Sequence, residues 1–368
     1  MKNPFVVDRP VTGDELCGRD PALERLLEAA RRSEPAAAIA PRGGGASSVA
    51  RELARRLTAE GRTTVLVEAA DRTHAAGLLD EALRTVEEGP SRPNGGRASV
   101  GGGRGGEPDR AVADRVRQLA AGKGEHGLHL VLDGLGRRGE VEGLDALGRA
   151  APAEGVGVTA LWQGSPGGDG GPLAPADPEG EGDGGGSDHP PRDAATLGPV
   201  PLAAWLPYAL ERFLRTDRWI ANEHVRRAVE ATGGRPLHTQ LLLHLIWTEA
   251  GPEGGVDGAV LERAEGRLLV RSGRRFRLLL DPLTRNQRSL LEALALSRGP
   301  VRPYASDFVR RHGFASPSSV QRALNALRDL GLVEDAGGEG PRPADPLLVR
   351  WLRRRRAERS EAPGERKA

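Results

Sequence analysis

The stretch AAAIAPRGGGASSVARELARRLTAEG, residues 36–61, constrains this chain more than any other. A five-residue apolar run is too short for a helix and suits a buried strand. A glycine-rich turn follows, and then a helical period that places Val49, Leu53 and Leu57 on one side. The same alternation recurs. A helix opened by Asp20 and Pro21 carries Leu23, Leu26, Leu27 and Ala30 on one face, and TTVLVE (63–68) reads as a second strand. Further along come a helix through Val112, Val116 and Leu119, the strand LHLVLD (128–133) and the apolar run VGVTALW (156–162). Short continuous apolar strands separated by helices predict a parallel sheet covered on both faces, so the first half reads as an α/β domain.

The 368 residues give room for two or three domains. Gly (51) and Pro (28) are plentiful and concentrate in 87–109 and 164–193, which lack periodic apolar residues and read as flexible insertions. A net charge of +2, with a pI near 9.0, leaves a polyanionic partner to be argued locally. Cys17 is the single cysteine, which excludes an intramolecular disulfide. No long apolar segment resembles a leader or a membrane span, so a cytoplasmic protein without a membrane partner is expected.

Beyond the second insertion the signals are helical: LAAWLPYALERFL, NEHVRRAVEATGG and PLHTQLLLHLIWTEA. Gly233 and Gly234 stop one helix, and Pro236 suits the first turn of the next. Thr284 to Gln287 forms a capping box, Gly313 ends the short helix SDFVRRHG, and Ser316 with Pro317 opens another helix that stops at Gly331. That last helix has an apolar face of Val320, Ala323, Leu324, Leu327 and Leu330. Its opposite face carries Ser318, Gln321, Arg322, Asn325 and Arg328. Three helices and a glycine-turned hairpin predict a winged helix. Gln321, Arg322, Asn325 and Arg328 are its candidate DNA-reading residues, and RWLRRRR (350–356) adds charge for phosphates. The acidic VEDAGGEG wing argues against DNA, and a protein partner is the alternative.

APRGGGASS (40–48) follows a strand and precedes a helix, the setting of a phosphate-binding loop. It also reads as a tight glycine-rich turn. Gly45 and Ser47 fall in register with the motif, whereas Ala40 occupies the first glycine position and Ala46 the lysine position. Asp133, at the C-terminal end of a buried strand, stands where such proteins hold Mg²⁺ with a carboxylate, and it would equally cap a turn. The candidate nucleotide residues are Arg42, Gly43, Gly44, Gly45, Ala46, Ser47 and Ser48, with Ser47 and Asp133 as the Mg²⁺ pair for ATP or ADP. Gln163, after the last apolar strand, is a weaker polar candidate. His126 and His129 lack metal-ligand spacing, and no Ser/His/Asp or Cys/His arrangement is present.

NPFVVDRPVTGDELCGRD at the N-terminus is similar to the signature of prokaryotic AAA+/STAND-type, or archaeal-type, ATPases, through Pro4, Phe5, Gly18 and Arg19. ATGGRPLHTQLLLHLIW resembles the lid motif of that family. LDPLTRNQRSLLEALA, ASPSSVQRALNALRDLGLV and ADPLLVRWL resemble its C-terminal winged helix. The resemblance implies an α/β P-loop NTPase core over 1–163, with its insert at about 87–109, and a linker at 164–195. A helical lid over 196–275, a winged helix over 280–357 and a tail at 358–368 complete it. It implies nucleotide held between core and lid, with Arg19, Arg235 and Pro236 near it. It also implies a lysine at 46 and an acid at 134, where this chain has Ala46 and Gly134. The expected protein therefore binds nucleotide and hydrolyses it poorly or not at all, with Arg42 as the one stand-in for the lysine. The alternative is a winged-helix DNA-binding regulator on a core that binds no nucleotide.

Overall fold

The computed structural model describes residues 2–41, 43–69, 75–88, 108–121, 127–135, 144–163, 194–251, 254–335 and 340–361. Arg42, His126, the tail from 362 and most of both glycine-rich insertions lie outside them. The chain forms two compact units, one of Arg9–Gly198 and one of Met1–Asp8 with Pro199–Ala368. Charge divides unevenly between them. The first unit has 23 Lys and Arg against 30 Asp and Glu, and the second has 30 against 21.

In the first unit, helix α1 (Asp20–Arg31) leads to strand β1 (Ala36–Ala40), helix α2 (Ala46–Ala59) and strand β2 (Thr63–Glu68). Helices α3 (Ala75–Glu88) and α4 (Pro108–Ala121) precede β3 (Leu128–Leu135), α5 (Leu144–Ala153), β4 (Val156–Gln163) and the short β5 (Ala195–Thr196). The five strands are parallel, in the order β2-β3-β4-β1-β5. Strand alternation sends Leu128, Leu130 and Leu132 to the layer of α3, α4 and α5, and Val131 and Leu161 to the layer of α1 and α2. By the same alternation, Asp133 and its register partner Glu68 share the α2 face.

In the second unit, α6 (Leu202–Leu214), α7 (Asn222–Thr232), α8 (Pro236–Glu249) and α9 (Gly258–Leu280) form the helical subdomain. Helix α8 buries His238, Thr239, Gln240, Leu242, Leu243, Leu245, Ile246 and Trp247, nearly its whole circumference, so it is the central element. The N-terminal Phe5 packs here, 5.4 Å from the Phe213 ring and 6.3 Å from Tyr208. Helix α9 runs unbroken across position 275, where the sequence suggested that the lid ends.

The winged helix follows: α10 (Arg285–Leu296), α11 (Ser306–Arg311), α12 (Pro317–Asp329), the antiparallel wing β6 (Val333–Asp335) and β7 (Pro341–Pro343), and α13 (Pro346–Glu361). The expected capping box of Thr284 with Gln287 is formed, and Ser316, expected as an N-cap, forms a second capping box with Ser319. Leu330, assigned to the apolar face of α12, is 40 % exposed. It falls at the C-cap, where the helix stops covering the core.

Candidate nucleotide loop and winged-helix face

The loop between β1 and α2 is built on glycine geometry. Gly43 and Gly45 take φ of 77° and 90°, a left-handed region in which a side chain is strained. Gly44 donates its N–H to the Pro41 carbonyl (2.7 Å), and a Cβ there would stand 2.7 Å from that same oxygen. The N–H groups of Ala46, Ser47 and Ser48 open α2 and have no intrahelical acceptor, which is the anion-binding feature of a helix N-terminus. Ala46 is buried in the core layer of α1 and α2.

Surrounding residues fix the loop from outside. Arg19 donates Nη2 to the Gly44 carbonyl (2.6 Å). Burial lowers its pKa to about 10, and its Nε has no hydrogen-bond partner. The resemblance put Arg19 at the nucleotide, and the structure engages it with the loop backbone. Ser48 accepts from the Val11 N–H (3.1 Å), so its hydroxyl ties down the N-terminal segment. Glu52, fully buried, accepts from the Gly13 N–H and from Arg55 and Arg56. These bonds, Arg55 foremost, hold its carboxyl down to about 2.

Three polar side chains stand at or near the C-terminal ends of adjacent strands: Glu68 on β2, Asp133 on β3 and Gln163 on β4. Asp133 is 5 % exposed, and its Oδ1 has no hydrogen-bond partner. Burial pushes its pKa up. The neighbouring Ser47 hydroxyl pulls it back, as does Arg51, while Glu68 pushes it further up. The structure thus brings Ser47 and Asp133 together as the sequence suggested. It adds Glu68 and Arg51, neither of which the motif singles out. Arg51 donates Nη2 to Glu68 (2.9 Å). The available signal was the spacing of Ser47 and Arg51, four apart on one helix face.

Gly134 is more than a missing acid. It has φ of 82°, and the β3–β4 register shifts between Asp133 and Leu135. A Cβ at 134 would approach Gln163 Nε2 at 3.8 Å. His129 is buried, bonded through Nε2 to Thr159 Oγ1 (2.9 Å), and desolvation lowers its pKa to about 3, so it is a neutral core histidine.

In the second unit, Gly233 and Gly234 take φ of 63° and 65°, and Pro236 is at the first turn of α8. Arg235 donates to the Ala344 carbonyl (2.5 Å), at the approach to α13. His238 lies 3.6 Å from Asp345 and is held by Arg275, while burial lowers its pKa to about 4. The lid motif is therefore bonded to the winged helix. On α12, Gln321, Arg322 and Asn325 are exposed and Arg328 is half-buried. Gln321 and Arg328 both donate to Asn325, and Arg328 is bridged to Asp335 of the wing (2.6 Å). Arg342 and Glu334 pair across the wing.

A parallel sheet with strand order β2-β3-β4-β1-β5, a glycine loop after β1 and a carboxylate near the end of β3 give the first unit the fold of an α/β P-loop NTPase core. It is accompanied by a helical lid subdomain and a C-terminal winged-helix domain. Residues 274–354 match the family described as "Probable winged helix domain". The Walker-type ATPase PABY2304 of Pyrococcus abyssi is similar in structure, with a TM-score of 0.62 and 16% identity over 95% of this chain and 99% of that one. The Aeropyrum pernix Orc1 protein in complex with DNA aligns with a TM-score of 0.47 and 14% identity over 95% of each chain. No curated protein matches the chain in the sequence comparison. Among the described residues, no helix is long and apolar enough to cross a membrane.

Proposed function

We propose that this chain is a nucleotide-binding switch protein: it takes Mg²⁺ with ATP or ADP at residues 43–48, turns the nucleotide over poorly or not at all, and relays the bound state to its winged helix. The observation that carries this is Asp133, a buried carboxylate with an unpartnered oxygen beside the Ser47 hydroxyl, on the face of the sheet that meets the start of α2. A buried carboxylate without compensation is costly, and a cation supplies that compensation. Ser47 and Asp133 are the residues that would hold Mg²⁺, which supplies positive charge to phosphate oxygens when bound. The free N–H groups at the start of α2 would receive the phosphates.

Weak turnover follows from two features. Ala46 brings no cation to the β and γ phosphates, and at 134 the chain has a left-handed glycine instead of a carboxylate that could orient water. Isothermal titration of the full chain with ATP and ADP, with and without Mg²⁺, tests the reading. Mg²⁺-dependent binding is expected, strengthened about ten- to a hundredfold by Ala46→Lys. A folded protein that binds neither nucleotide at millimolar concentration, with or without the lysine, would overturn it.

A second reading, a DNA-binding regulator on a scaffold core, draws support from the charge division: the surplus of Lys and Arg belongs to the unit that contains the winged helix. Salt-dependent binding of a labelled duplex by a chain that ignores nucleotide would favour it.

A further inference from the structure

Ala46 leaves the loop without the cation that phosphate recognition needs, and Arg42 lies outside the described residues. Another arginine meets the requirement. Arg51 is one helical turn beyond Ser47 on the same face of α2, and helical side chains lean toward the N-terminus of their helix. That lean carries the Arg51 guanidinium back toward the loop.

The guanidinium is held in place by Glu68, which accepts from Nη2 at 2.9 Å. Glu68 is in turn fixed by the sheet, because its Cα is the register partner of Asp133 across β2 and β3. Arg51 is also close enough to Asp133 for its charge to act on that carboxylate. Two atoms of this cluster are left over. Arg51 Nε is buried without an acceptor, and Asp133 Oδ1 is buried without a donor. The cluster leaves both atoms open although each has the chemistry to satisfy the other. A ligand that carries an anionic oxygen together with a divalent cation satisfies both at once, with the oxygen to Nε and the cation to Oδ1. A lone anion would leave Asp133 Oδ1 without a partner, and a lone cation would leave Arg51 Nε without an acceptor.

We propose that Arg51, held by Glu68, is the phosphate-binding cation of this site, taking over from α2 the charge that the loop lysine position lacks. The assignment rests on the nucleotide reading above. It implies recognition of the outer phosphates of a Mg²⁺-bound nucleoside di- or triphosphate, and a poor fit to a monophosphate. It also assigns Glu68 a positioning role, since the carboxylate sets where the guanidinium points.

The test is titration of the full chain with Mg²⁺-ATP, Mg²⁺-ADP and AMP, for the natural sequence, Arg51→Gln, Arg51→Lys, Ala46→Lys and the Ala46→Lys/Arg51→Gln pair. Thermal melts verify that each is folded. Arg51→Gln is expected to lose about ten- to a hundredfold in ATP affinity and most of the preference for ATP over AMP. Arg51→Lys is expected to recover part of that loss, and the paired variant to recover it through the new lysine. Natural protein that binds ATP with an affinity unchanged in Arg51→Gln overturns the assignment and leaves the nucleotide reading intact. Binding by Ala46→Lys alone, with none by the natural chain, also overturns it, because Arg51 then fails to replace the lysine. No binding by any variant overturns the nucleotide reading itself.

Discussion

Beside Asp133 three polar atoms are buried and short of partners, whereas on α12 and the wing the polar side chains are largely exposed and paired with one another, Arg328 Nε excepted. Asp133 Oδ1, Arg51 Nε and Arg19 Nε have no hydrogen-bond partner beside the loop. Arg328, Asn325, Gln321 and Asp335 form a connected surface set, and Arg342 holds Glu334. An unpartnered buried group costs about 1–3 kcal/mol, and Asp133 Oδ1 and Arg51 Nε are the atoms that the proposed ligand would satisfy. An exposed ion pair contributes about 0–1 kcal/mol, so the wing pairs can exchange partners at small cost.

Gly44→Ala is the harshest way to break the contrast. Its Cβ would stand 2.7 Å from the Pro41 carbonyl and 3.1 Å from the Ala40 Cβ, with backbone unable to yield cheaply. A loss of about 3 kcal/mol is expected, read by denaturant unfolding of the full chain. Unchanged stability would mean that the loop is not held as described.

Asp133→Asn is expected to have two opposed effects. Mg²⁺-dependent strengthening of nucleotide binding should disappear, while the ligand-free protein becomes more stable by about 1–3 kcal/mol at neutral pH because a buried charge has gone. A carboxyl whose pKa is raised in the fold binds more protons folded than unfolded. Its contribution is therefore full below the ordinary carboxylate range and is lost as pH rises through the folded value. Melting temperature measured against pH should flatten in the variant, and a steeper profile would contradict this account.

Gly134→Glu sharpens the same comparison more gently. Putting a side chain at φ of 82° is expected to lower stability by about 1–2 kcal/mol. It should yield no hydrolysis even alongside Ala46→Lys, since the register shift directs the new side chain toward Gln163. Rapid phosphate release by the double variant would show that residue identity alone limits turnover.

Asp335→Ala should have the smallest effect on stability, below about 1 kcal/mol, because the pair is mostly exposed. It frees Arg328, so binding of a labelled duplex should strengthen and its logarithmic salt slope steepen by about 0.9 for each additional phosphate neutralised. Fluorescence anisotropy at two salt concentrations reads both. Unchanged duplex binding would remove α12 as a nucleic-acid face.

Much of this fold is legible residue by residue. The apolar strands, the N-cap at Ser316, the Thr284 capping box, and Pro236 and Gly233 at helix ends are local features whose physics needs only near neighbours. The path of α9 across 275 was less legible, because RSGRRF offers no strong stop and helix continuation was decided by packing of Gly273 and Phe276 against Trp351. For the site, Ser47 and Asp133 could be named from the motif, while the bond of Arg19 to the Gly44 carbonyl has no signal in the sequence.

The sequence alone therefore determined which segments are strands and helices, where the glycine loop falls, and that Ala46 and Gly134 stand where the family resemblance implies a lysine and an acid. These are consequences of periodicity, capping and residue identity along the chain. Only the tertiary structure decided that Glu68 is in register with Asp133, that Arg51 binds Glu68, and that the β3–β4 register shifts at Gly134. Register between strands 65 residues apart is set by packing across the core and has no counterpart in local sequence.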